Sequence, residues 1–575
     1  MTPDNYILYM PPVILCLVLV QWAGGQKLFS RATLGHLFVG TLWCVTFPLL
    51  YSWSYDNPWF ISLIRNDLLM GTGFYALSVS FCALLYSVIR HRILGICLAV
   101  LAALIDLLFL FIPATQIAYY VTYWHSITPA SLMALYLTDP KESIDFLEAM
   151  AGWGVVTLVA AGLLLLTYLF YRAHRLHQRA VQSAPPSWRQ KLTLAALVLY
   201  LSSYLPFTIF PQTSIILNWK EVSDYVEETQ KYASTHDERY QMLTLDAAAD
   251  TLAVKAPGTV IVVIGESASR NYMHAYTPDF PYPDTPWMEA QEQSPSFTVY
   301  RNAYSSWTQT VPVLEKALTE ASQYNDKEFS SSSSILDVAK KAGYKTYWFS
   351  NQGRYGEYDS AITLVAKTAD VAEWADDSYL FTEKYDERLL DFLDTLDPTE
   401  NNFVVLHIMG SHIYYNNRYP SEFNRWQNPD GGAATNAESY ANSILYTDDL
   451  LRRIYEYGRD RLHLQTMLYF SDHGEDLKIS HNPDVFAWTM VRIPFFIYTS
   501  PAYDREFPDR ARVIHAHRDT YFTNDMLYDT ISGLLNAPSN HYDAAQDLTS
   551  PTYRFTRDTL TTMFGQVQIK DDPSL

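Results

Sequence analysis

Met467-Leu-Tyr-Phe470, followed at once by Ser471-Asp-His-Gly-Glu475, is the stretch on which the fold turns. The apolar run reads as a buried β-strand, and it stops abruptly at a carboxylate and an imidazole side by side. In an open α/β sheet the carboxyl ends of the strands are where ligands bind. Asp472 and His473 are a hard and a borderline ligand, a pair suited to a divalent ion such as zinc. The same pattern occurs earlier, where Thr259-Val-Ile-Val-Val-Ile264 ends at Gly265-Glu266. Either one alone is equally well a capped strand end. Together they point to a single metal site assembled by the fold, and so to a metalloenzyme.

Around these two strands the chain alternates. The pattern predicts a helix over 335–342, opened by the serines at 330–334 and closed by Gly343, then a strand over 345–350. Further strands are expected at 403–408 and 493–498, and helices at 378–395 and 438–457. Alternation of this kind predicts an α/β/α domain over 258–565, with a mostly parallel sheet covered on both faces.

The first half is different. The chain has 575 residues and is 49% hydrophobic, and before about residue 212 the apolar runs are long enough to cross a bilayer. Six spans are expected, at 6–23, 33–52, 70–89, 92–113, 151–171 and 191–211, making 1–212 a helical transmembrane domain. The span at 6–23 carries Pro11-Pro12 and is the weakest; without it there are five. It lacks the basic lead and cleavage site of a signal peptide. Lys27 and Arg31, Arg90 and Arg92, and Arg172, Arg175, Arg179, Arg189 and Lys191 mark the cytoplasmic loops by the positive-inside rule. The amphipathic loop 114–150, with Asp139, Glu142, Asp145 and Glu148, is then external. So is everything after residue 212, beginning with a surface linker helix in 213–257.

Cys16, Cys44, Cys82 and Cys97 all lie in the apolar runs, so the polar half has neither a disulfide framework nor a cysteine-ligated metal. A formal net charge of −20 argues against nucleic acid as a partner.

Transfer chemistry at a metal needs an oxygen nucleophile. Thr310 in Thr308-Gln-Thr310-Val-Pro312 sits at or near the start of a helix, where the dipole and an adjacent metal both favour its alkoxide. It is equally placed to be a plain capping threonine. Ser267 and Ser269 beside Glu266 are weaker candidates. Among the histidines, His412 and His481 should emerge at the same sheet edge as Asp472. His407, His515 and His517 carry less weight.

These residues resemble the membrane phosphoethanolamine transferases of Gram-negative bacteria, whose catalytic domain is alkaline phosphatase/sulfatase-like. The matching elements are Val263-Ile-Gly-Glu-Ser267, Thr308-Gln-Thr310-Val-Pro-Val-Leu-Glu-Lys-Ala-Leu-Thr319, His407-Ile-Met-Gly-Ser-His412 with Arg418-Tyr-Pro420, Tyr469-Phe-Ser-Asp-His-Gly-Glu475, and Ile493-Pro-Phe495. The closest likeness is to the branch that modifies the lipopolysaccharide core. The resemblance implies a zinc site of Glu266, Thr310, Asp472 and His473, with Thr310 as the nucleophile that carries phosphoethanolamine. It implies His412 and His481 as phosphate-binding or acid/base histidines, and Thr138 and Glu142 as donor-headgroup positions; Ala134 stands where the family usually has Asn. Phosphatidylethanolamine is the implied donor and an envelope glycan or lipopolysaccharide the acceptor. The implied location is the inner membrane, with the catalytic domain in the periplasm. The family usually has five spans, and its lipid-A-modifying branch has catalytic-domain disulfides that this chain lacks.

Three rivals remain. A sulfatase would need the Cys/Ser-x-Pro-x-Arg signature from which formylglycine is made, and Thr310-Val-Pro-Val-Leu314 supplies neither its first residue nor its arginine. A glycerol-phosphate transferase shares scaffold and chemistry. A non-catalytic membrane scaffold has no use for an intact Glu, Thr, Asp and His set.

Overall fold

The computed structural model describes residues 4–25, 30–54, 61–123, 126–137, 152–246, 250–352, 360–375, 385–426, 437–481 and 485–573. Thr138 and Glu142 lie outside these residues, as does the first part of the helix expected over 378–395. The chain forms two compact units. One comprises Met1–Tyr136 with Phe146–Asp224, the other Tyr225–Leu575 with Leu137–Asp145.

The first unit is helical: α1 (Asp4–Gly24), α2 (Leu34–Ser54), α3 (Ile61–Val88), α4 (Arg92–Tyr123), α5 (Pro129–Leu137), α6 (Gly152–Ser183) and α7 (Trp188–Tyr204). Among the described residues, five stretches are long and apolar enough to cross a membrane: Leu34–Tyr51, Arg65–Val88, Arg92–Thr122, Gly154–Ser183 and Trp188–Gln212. The weakest expected span falls on α1, whose apolar part Val13–Gly24 is shorter. Leu108 and Leu164, each 74% exposed, are the outward apolar surface that only a lipid environment tolerates in quantity.

One expectation is corrected here. The span at 92–113 was to end at Pro113, with a loop following, but α4 continues to Tyr123 with Pro113 inside it. Proline cannot donate to the carbonyl four residues back, which strands Phe109 O. The Trp43 indole N–H from α2 takes that carbonyl at 2.7 Å, so the helix passes the proline without an orphaned group. α2 and α3 also meet closely. A Cβ on Gly40 would stand 2.7 Å from Gly71 O, and one on Gly71 2.5 Å from Gly40 O, a small-residue contact of the kind that packs membrane helices.

The second unit is built on a seven-stranded sheet of order β2-β8-β7-β1-β6-β4-β5. Its strands are β1 (Thr259–Gly265), β2 (Phe297–Tyr300), β4 (Lys345–Ser350), β5 (Val371–Trp374), β6 (Asn402–His407), β7 (Leu464–Ser471) and β8 (Phe495–Thr499); β3 (Asn302–Tyr304) pairs β9 (Tyr521–Thr523) outside it. β5, β4, β6, β1 and β7 run parallel, while β8 is antiparallel to β7 and β2 to β8. The sheet is mostly parallel, as expected, with one reversed strand, β8, next to the β2 edge.

β1 is central and buried along its whole length, which is why it reads as an unbroken β-branched run and not as an alternation. Ile261 stands between Val404 and Met467, and Val263 between Leu406 and Tyr469. This face packs on Tyr440, Ile444, Leu451 and Ile454 of the long helix Ala437–Arg461. Each such side chain stabilises by about 1.5–3 kcal/mol. Ile335–Lys341 is helical as expected, with Ser334 and Asp337 forming a reciprocal cap. The helix over 378–395 is corrected. Within its described part it covers only Arg388–Leu393, because Asp386 turns its carboxylate to the N–H groups of Met409 and Gly410 instead of entering the helix.

Candidate active site

Register brings the two opening motifs together. Gly265 on β1 pairs with Ser471 on β7, so Glu266 and Asp472 leave neighbouring strands at the same edge. The Asp472 N–H continues the ladder to Gly265 O at 3.1 Å. On the other side, Ile264 pairs with His407 and His407 with Ser350, which delivers Gln352 to that edge as well. Ser267 turns the chain away with φ 56°, a conformation that non-glycine residues adopt rarely and that concentrates at functional sites. It is held there by its N–H to Asp472 Oδ1 at 3.0 Å and its hydroxyl to Glu266 Oε1 at 2.7 Å.

Glu266, Asp472 and His473 each place a ligand atom within 4.8 Å of the others, and all three are buried. His473 Nδ1 donates to Gly474 O at 2.8 Å. That fixes the tautomer and leaves the Nε2 lone pair facing Asp472 Oδ2 at 3.4 Å and Glu266 Oε1 at 3.6 Å. Thr310 is the first residue of the helix Thr310–Ala317, with Gln309 as its cap. Its hydroxyl donates to Glu266 Oε2 at 3.2 Å and lies 3.4 Å from His473 Nε2. Thr310 is half-buried and Ser267 fully buried, so of the two hydroxyls Thr310 is the one a substrate can reach.

The electrostatics fit a cation. Burial, then the facing Asp472, push the Glu266 carboxyl up to about 7, and burial raises Asp472 as well. Burial and the nearby His481 keep the His473 imidazole below its ordinary value. Asp472 Oδ2 is buried with no hydrogen-bond partner. Two carboxylates that ionise reluctantly and an imidazole held neutral form a ligand set whose missing element is positive charge. Two oxygens, one nitrogen and an adjacent hydroxyl make a four-donor set of the kind that suits zinc.

The expected histidines flank this centre. The His481 ring lies 4.6 Å from that of His473 and 6.1 Å from that of His412. Burial opposes charge on His481, but Glu475, 2.7 Å away, raises its pKa to about 9. His412 differs: burial and the Arg418 charge hold it well below its usual range, so it is neutral, and its Nδ1 is buried without a partner. The site therefore holds one cationic and one neutral imidazole side by side.

Several residues escaped the sequence reading. Gln352 Nε2 donates to Glu266 Oε2 at 2.9 Å and to Ile408 O at 3.0 Å, orienting the carboxylate. Its signal was its place just past a predicted strand, at the edge where Glu266 and Asp472 were sought. Glu475 was in view without a role. Asn524 Nδ2, which holds Asp472 O at 2.7 Å, carried no sequence signal.

A family model described as Sulfatase matches residues 258–537. Phosphoethanolamine transferase CptA of Salmonella typhimurium is 25% identical over 546 residues, covering 88% of this chain and 92% of that protein. Phosphoethanolamine transferase EptC of Escherichia coli K12 is 24% identical with the same coverage. The solved structure of the integral membrane protein lipooligosaccharide phosphoethanolamine transferase A (EptA) from Neisseria meningitidis matches with a TM-score of 0.57 at 16% identity, over 89% of this chain and 97% of that one. At that identity the likeness speaks to the fold alone, a helical membrane domain and a sulfatase-like domain in one chain.

Proposed function

We propose that this member of the membrane phosphoethanolamine transferase family moves phosphoethanolamine from phosphatidylethanolamine to an envelope glycolipid or glycan, the lipopolysaccharide core being favoured, through a phospho-Thr310 intermediate. The observation that carries the reading is the reachable Thr310 hydroxyl held against Glu266 and His473. The names of the full-length relatives supply the transferred group. The lack of cysteine in the polar half favours the core over lipid A. The basic loops, cytoplasmic by the positive-inside rule, support the reading of a bacterial inner-membrane enzyme with this domain in the periplasm.

Glu266, Asp472, His473 and Thr310 would hold zinc, which when bound supplies the charge that favours the threonine alkoxide and neutralises the phosphoryl oxygens. Thr310 Oγ1, its proton released to solvent, forms a bond to the lipid phosphorus as the phosphorus–oxygen bond to diacylglycerol breaks. His481, cationic through Glu475, gives its proton to that leaving oxygen. In the second step His481, now neutral, takes the proton of an acceptor hydroxyl whose oxygen attacks phosphorus, and Thr310 leaves and is reprotonated. Neutral His412 donates a hydrogen bond to the phosphoryl group. Donor and acceptor alternate at one site.

The test is purified full-length protein in vesicles of phosphatidylethanolamine and phosphatidylglycerol with lipopolysaccharide core as acceptor. Wild type is expected to show a phosphoethanolamine adduct on the peptide bearing Thr310. Thr310→Ala should lose the adduct and at least ~10³-fold of the transfer rate, as a missing nucleophile does, with membrane insertion intact. Normal transfer by that variant moves the nucleophile elsewhere. A glycerol-phosphate mass on the acceptor assigns the rival donor.

A further inference from the structure

The membrane unit contains a second group of metal-competent side chains. His36 near the start of α2, Cys82 near the end of α3 and His174 near the end of α6 each place a ligand atom within 4.8 Å of the others. All three are buried, as are Asp106 of α4 and His177 one turn beyond His174. Nothing in the transfer chemistry uses them.

The hydrogen bonds give the group direction. Asp106 bridges the two histidines, with Oδ1 3.2 Å from His36 Nδ1 and Oδ2 2.9 Å from His174 Nε2. A carboxylate that accepts from the outer nitrogen of each imidazole leaves the inner nitrogens as lone pairs, the arrangement that surrounds histidine-ligated metals; that of His174 faces the Tyr86 hydroxyl at 3.4 Å, while that of His36 is open. His36 Nε2 accordingly has no hydrogen-bond partner, and neither nitrogen of His177 has one. His177 is 0% exposed, with its ring centroid 5.9 Å from that of His36. An unpaired buried polar group is costly, most of all where no water reaches it. A hydrogen-bond network would not strand three nitrogens. A cation held by the cluster would take the lone pair of His36 Nε2.

We propose that His36, Cys82 and His174 form a structural site for a zinc-class transition metal ion, with Asp106 orienting the two imidazoles. Thiolate and imidazole donors select zinc or its neighbours over magnesium and calcium. Three helices contribute ligands and a fourth the orienting carboxylate, so the ion ties α2, α3, α4 and α6 at the end of the unit that carries Arg31, Arg90 and Arg179.

Sulfur separates this site from the catalytic one, whose ligands are oxygen and nitrogen. Full-length protein in detergent, loaded with cobalt as the zinc probe, should show a thiolate-to-cobalt charge-transfer band. Zinc-edge absorption of the zinc-loaded protein should show a sulfur neighbour at about 2.3 Å. The band should vanish in Cys82→Ser and survive in Asp472→Asn, which disables the catalytic site. In the Asp472→Asn background one equivalent of metal should remain. Loaded wild-type protein with only oxygen and nitrogen neighbours would overturn the proposal, whether or not the cysteine variant folds. So would a thiolate band that persists in Cys82→Ser.

Discussion

Gln352 illustrates how a single amide sets a site. It makes no claim on substrate, yet its two hydrogen bonds tie Glu266 Oε2 to the β6 edge through Ile408 O. Removing such an orienting partner of a metal ligand typically costs 10–100-fold in metal affinity or activity. Gln352→Ala should therefore lower zinc affinity or transfer rate by about that much, read by zinc titration beside the rate. His481→Gln should behave differently. The proton donor is lost while the ligand set is untouched, so the rate should fall ~10²–10⁴-fold at unchanged zinc content. A loss of zinc in that variant would instead make His481 a ligand. The contrast between His481 and His412 arises from neighbours, Glu475 on one side and Arg418 on the other, which no property of the histidines themselves reveals.

At the scale of elements, the turns after the strands do as much as the strands. Gly410 follows β6 with φ 51°, and a Cβ there would lie 2.8 Å from Glu266 O and 3.0 Å from Glu266 N. Backbone atoms of the loop after β1 cannot move aside without moving Glu266. Gly410→Ala should cost at least ~1 kcal/mol of stability from the left-handed backbone alone and should lower zinc affinity with it. Melting temperature and zinc titration on the same sample check both. The helix Ile335–Lys341 offers a control remote from the metal. Ser334→Ala removes a cap whose hydroxyl bonds Asp337 and should cost about 1 kcal/mol with unchanged zinc content.

Over the whole catalytic unit, the stretch first read as a linker helix is anchored to the domain. His236 Nε2 lies 2.9 Å from Asp337 Oδ1, and the Arg239 guanidinium reaches Ser330 O at 3.0 Å. The hydrogen bond that His236 donates to Asp337 raises the His236 pKa above its ordinary 6.5. Burial works against charge on Asp337, but His236 and the Ser334 N–H hold its carboxyl below its ordinary 3.8. A raised histidine stabilises fully below its unfolded value and loses that contribution as pH climbs through its folded one. A lowered aspartate stabilises above its unfolded value and loses that contribution as pH falls through its folded one. The pair is thus fully effective from about pH 4 to 6.5 and weakens on either side. Thermal melts of wild type and His236→Gln should differ by about 1–1.5 °C near pH 6, for a contribution of about 1 kcal/mol. The difference should shrink as pH is raised well above 6.5; a gap constant from pH 6 to 10 would mean that packing, and not charge, holds the segment.

Hydrophobic patterning alone determined the division into a helical membrane half and an α/β half, because the length of an apolar run and the abrupt stop after a β-branched run are local properties of the chain. Glu266, Asp472 and His473 were legible for the same reason: each sits where a strand ends, and strand ends share an edge. Thr310 was legible as a helix start, but its approach to Glu266 needed the helix Thr310–Ala317 to aim it. Pro113 looked like a terminus until Trp43, seventy residues earlier in the chain, proved to take the carbonyl it strands. The pairing of Gly265 with Ser471, the reach of Gln352 and Asn524, and the gathering of His36, Cys82 and His174 all depend on residues far apart in sequence. Only tertiary packing sets such separations, since the distance between two side chains is decided by register and helix contacts and is written in neither residue.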